Sequence, residues 1–149
     1  MTRYAYRGML VGSAFRYTAP TSPFNPGNLW ALWDSFGIET SEMIGWWEDI
    51  QHGSGTVPVN LSNTDFLATV YLQRGKQALV AVADWSPDLS NYTTKLSMQC
   101  NWTALGLPPT AKLHVPTVPP FQTENVGLFP ADHVFEITAL QGGLLVLVK

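Results

Sequence analysis

The stretch FLATVYLQRGKQALVAVADW, residues 66–85, decides the fold. Two runs rich in β-branched, aromatic and aliphatic residues, 66–73 and 77–85, flank Arg74-Gly75-Lys76. Short apolar runs separated by a glycine-bearing turn read as a β-hairpin. The second run is apolar almost throughout, which suits a central strand covered on both faces. A central strand needs neighbours on each side, and the flanking sequence offers them.

Downstream, YTTKLSMQC (92–100) alternates. Thr93, Lys95, Ser97 and Gln99 face one way, and Tyr92, Thr94, Leu96, Met98 and Cys100 the other. Residues 101–109 read as one helical turn, with Asn101 as N-cap, Trp102 packed, and glycine and proline ending it. Residues 111–115 form another strand and 118–130 a long loop. Residues 133–139 and 144–149 close the chain as a hairpin around Gly142-Gly143.

Upstream, Val57, Val59 and Leu61 alternate with Pro58 and Asn60. That is an edge strand, because proline cannot donate to a ladder. Residues 43–48 form a further strand. Before it lies a helix over 26–36, with Asn25 as N-cap and Pro26 in the first turn. Its apolar stripe is Leu29, Leu32, Trp33 and Phe36, and Gly37 stops it. A helix of about three turns is marginal alone and must dock its stripe on a partner surface. Residues 4–17 supply one short strand, and 18–26 a proline-rich loop. The expected fold is mainly β: an antiparallel β-sandwich over 39–149, preceded by one short amphipathic α-helix.

The chain has 149 residues, which fits one domain with a proper core. Charged residues are 13%, about half the usual share, and the net charge is −3. No basic stripe exists, so no nucleic-acid partner is expected. No apolar run approaches the ~18 residues of a membrane span, so no membrane partner is expected. No signal peptide is read at the N-terminus. The single cysteine, Cys100, leaves no internal disulfide and no thiolate zinc cage, and reads as a buried core thiol. Three N-x-S/T sequons, at Asn60, Asn91 and Asn101, point mildly to a secretory context. The competing reading is polar loop and strand residues without glycans.

The tempting chemistry is IGWWEDIQHG, residues 44–53. In a strand, Glu48 and Asp49 would diverge to opposite faces, whereas a glycosidase pair must converge across ~5–9 Å. Trp46 and Trp47 would split likewise. The segment therefore reads first as a sandwich strand ending in a solvated acidic corner. The alternative is a sugar platform of Trp46, Trp47 and Trp85, with Glu48 binding hydroxyls. Asp84 reads as a residue turning the chain, and Trp85 as a plug at the sandwich rim. Ser13 lacks a nucleophile elbow. His52, His114 and His133 lie far apart in sequence, so no metal or cofactor site is expected.

LWALWDSFGIETSEMIGWWED resembles a junction in glycoside hydrolases of the family 123-like group, where a similar pattern precedes M-I-G-[YW]-W. The 66–86 hairpin, NWTALGL and FEITALQGGLLVLV are also similar to segments of that group. The resemblance covers residues 7–149. It implies a catalytic (β/α) barrel followed by a C-terminal β-sandwich. Residues 1–38 would then be a remnant of the barrel's end, with YRGMLVGSAFRY its last strand region and 26–36 the following helix. Residues 39–149 would be the sandwich. The group's adjacent acidic catalytic pair, which supports substrate-assisted hydrolysis of N-acetylhexosaminides, lies earlier in the barrel. No position here matches it, so no catalytic residue is carried over.

Three functions follow as expectations. The first is a non-catalytic accessory domain of a glycoside hydrolase-like parent, itself a candidate for secretion, docking on the barrel through Leu29, Leu32, Trp33 and Phe36. Exposed apolar surface around that stripe is the expected consequence. The second is a stand-alone carbohydrate-binding module using Trp46, Trp47, Glu48 and Trp85 on a glycan. The third, an enzyme using Glu48, Asp49 or Glu42, ranks last.

Overall fold

The computed structural model describes residues 2–13, 26–87 and 91–149. Among these, helices are α1 (Thr2–Met9), α2 (Gly27–Phe36), α3 (Glu48–His52) and α4 (Trp102–Leu105). Strands are β1 (Glu42–Ile44), β2 (Val59–Leu61), β3 (Phe66–Gln73), β4 (Gln77–Asp84) and β5 (Thr93–Cys100), then β6 (Leu113–Val115), β7 (Gly127–Phe129), β8 (Val134–Thr138) and β9 (Gly143–Val148). A six-stranded sheet runs β1-β3-β4-β9-β6-β7 and a three-stranded sheet β2-β5-β8. All strand pairs are antiparallel.

β3 and β4 pair from Phe66↔Asp84 to Gln73↔Gln77, as the hairpin reading requires. β9 takes the other side of β4, from Ala78↔Val148 to Ala83↔Gly143. Both strands are central, so both of their faces are covered. Val70, Val80, Val82 and Val146 meet Leu96, Phe135 and Ile137 of the second sheet. Tyr71, Leu79, Ala81 and Leu145 point the opposite way and meet Tyr6, Met9, Leu29 and Phe36 of the helices. Period-two alternation thus builds two cores from the same strands, giving three layers: small sheet, large sheet, helices. β5 shows the expected alternation, with Leu96 and Met98 buried and Thr93, Lys95 and Gln99 exposed.

The sequence-based expectations need several corrections. The fold is mixed α and β, with four α-helices among the described residues, not a sandwich behind a single helix. The strand expected over 4–17 is helix α1 over its first part, and residues 14–17 lie outside the described residues. Tyr6, Met9 and Leu10 recur at i, i+3 and i+4, and all three are fully buried on the large sheet. The seat is Gly142-Gly143: a Cβ on Gly143 would fall 2.6 Å from the Tyr6 ring, and one on Gly142 2.6 Å from the Arg3 Cβ. The pair is therefore both a turn and a close-approach site for α1.

The strand expected over 43–48 stops at Ile44. The chain reverses at Gly45, where a Cβ would lie 2.3 Å from the Trp47 ring, and the Glu48 N–H bonds the Gly45 carbonyl at 2.9 Å. α3 then follows. The loop expected over 118–130 contains β7, which extends the large sheet by pairing Leu113↔Phe129 with β6.

The apolar stripe of α2 is not exposed. Leu29 and Phe36 are buried, and Leu32 and Trp33 are partly buried against the same cluster. Each large side chain buried this way contributes roughly 1.5–3 kcal/mol. Gly37 stops α2 in the left-handed region, with its N–H bonded to the Trp33 and Asp34 carbonyls. Pro26 stands in the N-cap position rather than the first turn, and Asn25 lies outside the described residues.

Candidate functional site

β4 ends at Asp84, where the chain leaves the sheet beside α1. Asp84 is fully buried. Its carboxylate is ion-paired with the Arg3 guanidinium and accepts from the Tyr92 hydroxyl and, at 2.7 Å, from the Ser86 N–H. Arg7, one turn after Arg3, donates through Nε to the Asp84 carbonyl at 2.7 Å. Arg3 and Arg7 both donate to the Ser86 carbonyl at 3.0 Å. Two arginines on one helical face thus clamp the exit of the central strand. Burial, and then the adjacent Asp84 carboxylate, push the Tyr92 hydroxyl up, so it stays a neutral donor. Asp84 is therefore more than the turn-forming residue expected from sequence: it anchors α1 to the sheet.

The clamp carries an aromatic rim. The Arg7 guanidinium lies 5.2 Å from the Trp85 ring centre and 6.0 Å from that of Tyr4. Trp85 is 6.1 Å from Trp46, and Trp46 is 6.0 Å from Trp47 in an edge-to-face contact. The structure therefore brings Trp46, Trp47 and Trp85 near one another, although a strand over 43–48 would have put Trp46 and Trp47 on opposite faces. Trp85 is 47% exposed rather than plugging the rim, while Trp46 and Trp47 are half-buried. Among the described residues, the buried Trp46 indole N–H meets no acceptor. Beside the clamp, a cleft of about 290 Å³ is lined by residues including Asn63, Asp65, Asp84, Tyr92 and Thr94.

Each acid considered for chemistry has a structural partner. Glu48 pairs with His52 at 3.2 Å one helical turn on. Asp49 accepts from the Val57 N–H at 2.8 Å, holding the loop into β2. Glu42 pairs with Arg74 at 3.2 Å. Since 48–52 is a helix, Glu48 and Asp49 do not point to opposite faces as in a strand, yet they serve separate contacts. His133 stacks on Phe129 with ring centres 4.1 Å apart, and His114 sits within β6. Among the described residues, no three His, Cys, Asp or Glu side chains stand close enough to share a metal ion.

The docking candidates are divided. Leu29 and Phe36 support α2 from within, and Leu32 and Trp33 lie at its margin. The aromatics that α1 and α2 turn outward are Tyr4, 56% exposed, and Trp30, 48% exposed. Sequence reasoning missed Arg3, Arg7, Tyr92 and Trp30. The i, i+4 spacing of Arg3 and Arg7 beside the Tyr6–Met9–Leu10 stripe was the available signal.

A family model described as glycoside hydrolase 123, C-terminal domain, matches residues 25–148. No curated protein and no solved structure matches the chain.

Proposed function

Because the chain belongs to the glycoside hydrolase 123 C-terminal domain family, we propose that it is a non-catalytic accessory domain which packs against a catalytic (β/α) barrel. The barrel would hydrolyse N-acetylhexosaminides, and residues 1–38 would be the structural link between it and the sandwich. One observation carries this reading. The inner faces of α1 and α2 belong to the core of the large sheet, while Tyr4 and Trp30 on the same helices are half-exposed. Helices fixed on one side and aromatic on the other suit a layer held between two bodies. The Arg3–Asp84 clamp would make that layer rigid. Leu32 and Trp33 would contribute at its margin, with Leu29 and Phe36 holding α2 in place.

The test is Tyr4→Glu with Trp30→Glu, made in this chain and in a barrel-containing parent. The melting temperature of the chain should hardly change, because neither side chain is in the core. In the parent, the change should split one melting transition into two and open the junction to proteolysis. A parent that melts and resists protease like wild type would reject the reading.

A second reading has its own support: the gathered Trp46, Trp47 and Trp85 offer an aromatic surface to a sugar ring, with Glu48 next to Trp47 in the chain. Arg7 already stands over Trp85, which competes with a stacked sugar. Tryptophan fluorescence titrated with N-acetylhexosamine oligosaccharides decides it. A saturable change supports a binding module, and a flat response through millimolar ligand removes it.

A further inference from the structure

The three sequons all fall on the three-stranded sheet or at its ends. Asn60 lies in β2, Asn91 two residues before β5, and Asn101 immediately after β5. That sheet packs on the face of the large sheet opposite α1 and α2, although Asn91 leads into Tyr92, whose hydroxyl reaches Asp84 beside Arg3. The outer face of the small sheet is also polar: Lys95 stands opposite Glu136, and Asn60 opposite Gln99. We propose that this sheet is the glycan-bearing face of the protein, with N-linked oligosaccharides on Asn60 and Asn91.

The three asparagines are not equivalent. Asn60 and Asn91 are exposed, and Thr93, the hydroxyl residue of the second sequon, is exposed too. Asn101 is exposed but occupied: its side-chain oxygen accepts from the Ala104 N–H at 3.1 Å as the N-cap of α4. Trp102 and Thr103 are helical, so that sequon is withdrawn from an extended or open-turn geometry as soon as this local cap forms. In the modification, the asparagine Nδ2 forms a bond to the anomeric carbon of a lipid-pyrophosphate-linked oligosaccharide. The bond from that carbon to the pyrophosphate oxygen breaks, the lipid pyrophosphate leaves, and the Nδ2 proton passes to a base of the transferase. A large hydrated chain on Asn60 would then keep the outer face of the small sheet free of protein contacts, and one on Asn91 would shield the start of β5. The placement stands independently of the barrel-docking reading.

Glycopeptide mapping of the protein purified from its own source tests this. Treatment with an amide-cleaving glycosidase should leave aspartate at positions 60 and 91 and asparagine at 101. Asn60→Gln and Asn91→Gln should each remove one mobility step, and Asn101→Gln none. Occupancy of both Asn60 and Asn91 with a bare Asn101 supports the assignment. An unmodified peptide at 60 or at 91 overturns it, as does a glycan on Asn101.

Discussion

Replacing Arg3 by methionine should destabilise the protein sharply. The guanidinium is 7% exposed and the Asp84 carboxylate is not exposed at all. Methionine keeps much of the apolar stem but removes the charge and the bond to the Ser86 carbonyl. Breaking a buried pair from one side costs about 3–5 kcal/mol, because the remaining charge is left uncompensated. Asp84 would still accept from Tyr92 and the Ser86 N–H, which places the cost near the lower end, about 3 kcal/mol. For a domain of this size that corresponds to a melting temperature roughly 6–12 °C lower. The assay is thermal and urea unfolding of wild type, Arg3→Met, Asp84→Asn and the double variant. The double variant should be more stable than the two single losses added together, since the second change removes the stranded charge. An Arg3→Met variant that melts within about 2 °C of wild type would refute the clamp.

Gly143→Ala should cost about 1–3 kcal/mol or more, read as a lower urea midpoint, because its Cβ would lie 2.3 Å from the Val82 carbonyl oxygen and 2.6 Å from the Tyr6 ring. Asn101→Ala should cost about 1 kcal/mol by the same assay, through loss of the α4 cap. Burial pushes the Cys100 thiol up from 9.0 to about 11 and the Tyr71 hydroxyl up from 10.0 to about 12. Both stay protonated in the folded protein where the unfolded chain has begun to ionise, so the folded state binds more protons. Stability should therefore be fully present below pH 9 and fall as pH rises through 11 and then 12. Melting curves across that range should show the fall, and Cys100→Ala should flatten its first part.

The sequence was most legible where local pattern and tertiary packing agree. The β3–β4 hairpin, the alternation of β5 and the Asn101 cap are short-range features that survive unchanged. β4 could be placed centrally because its apolar run leaves no polar face for solvent. The failures lie where distant residues decide. α1 is eight residues long, too short to be stable alone, and it exists because the large sheet receives Tyr6 and Met9 and because two glycines make room. The turn at Gly45 depends on Trp47 folding back over it, which strand periodicity does not report. Met43 and Ile44 continue smoothly into two tryptophans as a strand pattern, so the β1 boundary was hidden.

The candidate site was legible only in part. Trp46, Trp47 and Trp85 were recognisable as notable residues, but their meeting depends on the reversal at Gly45 and the course of β4. Asp84 looked like an ordinary strand end because its partners Arg3 and Tyr92 approach from other layers. The same holds for the α2 stripe, whose docking surface is the large sheet of this same chain.

The most direct test of the accessory-domain account is the intact mass of the native protein, captured from its source with an antibody raised against residues 39–149. The account expects a mass several times 16.4 kDa, carrying a catalytic barrel joined to this domain. A mass near 16.4 kDa, with or without glycans, would contradict it and bring the tryptophan surface forward as the working part of a stand-alone module.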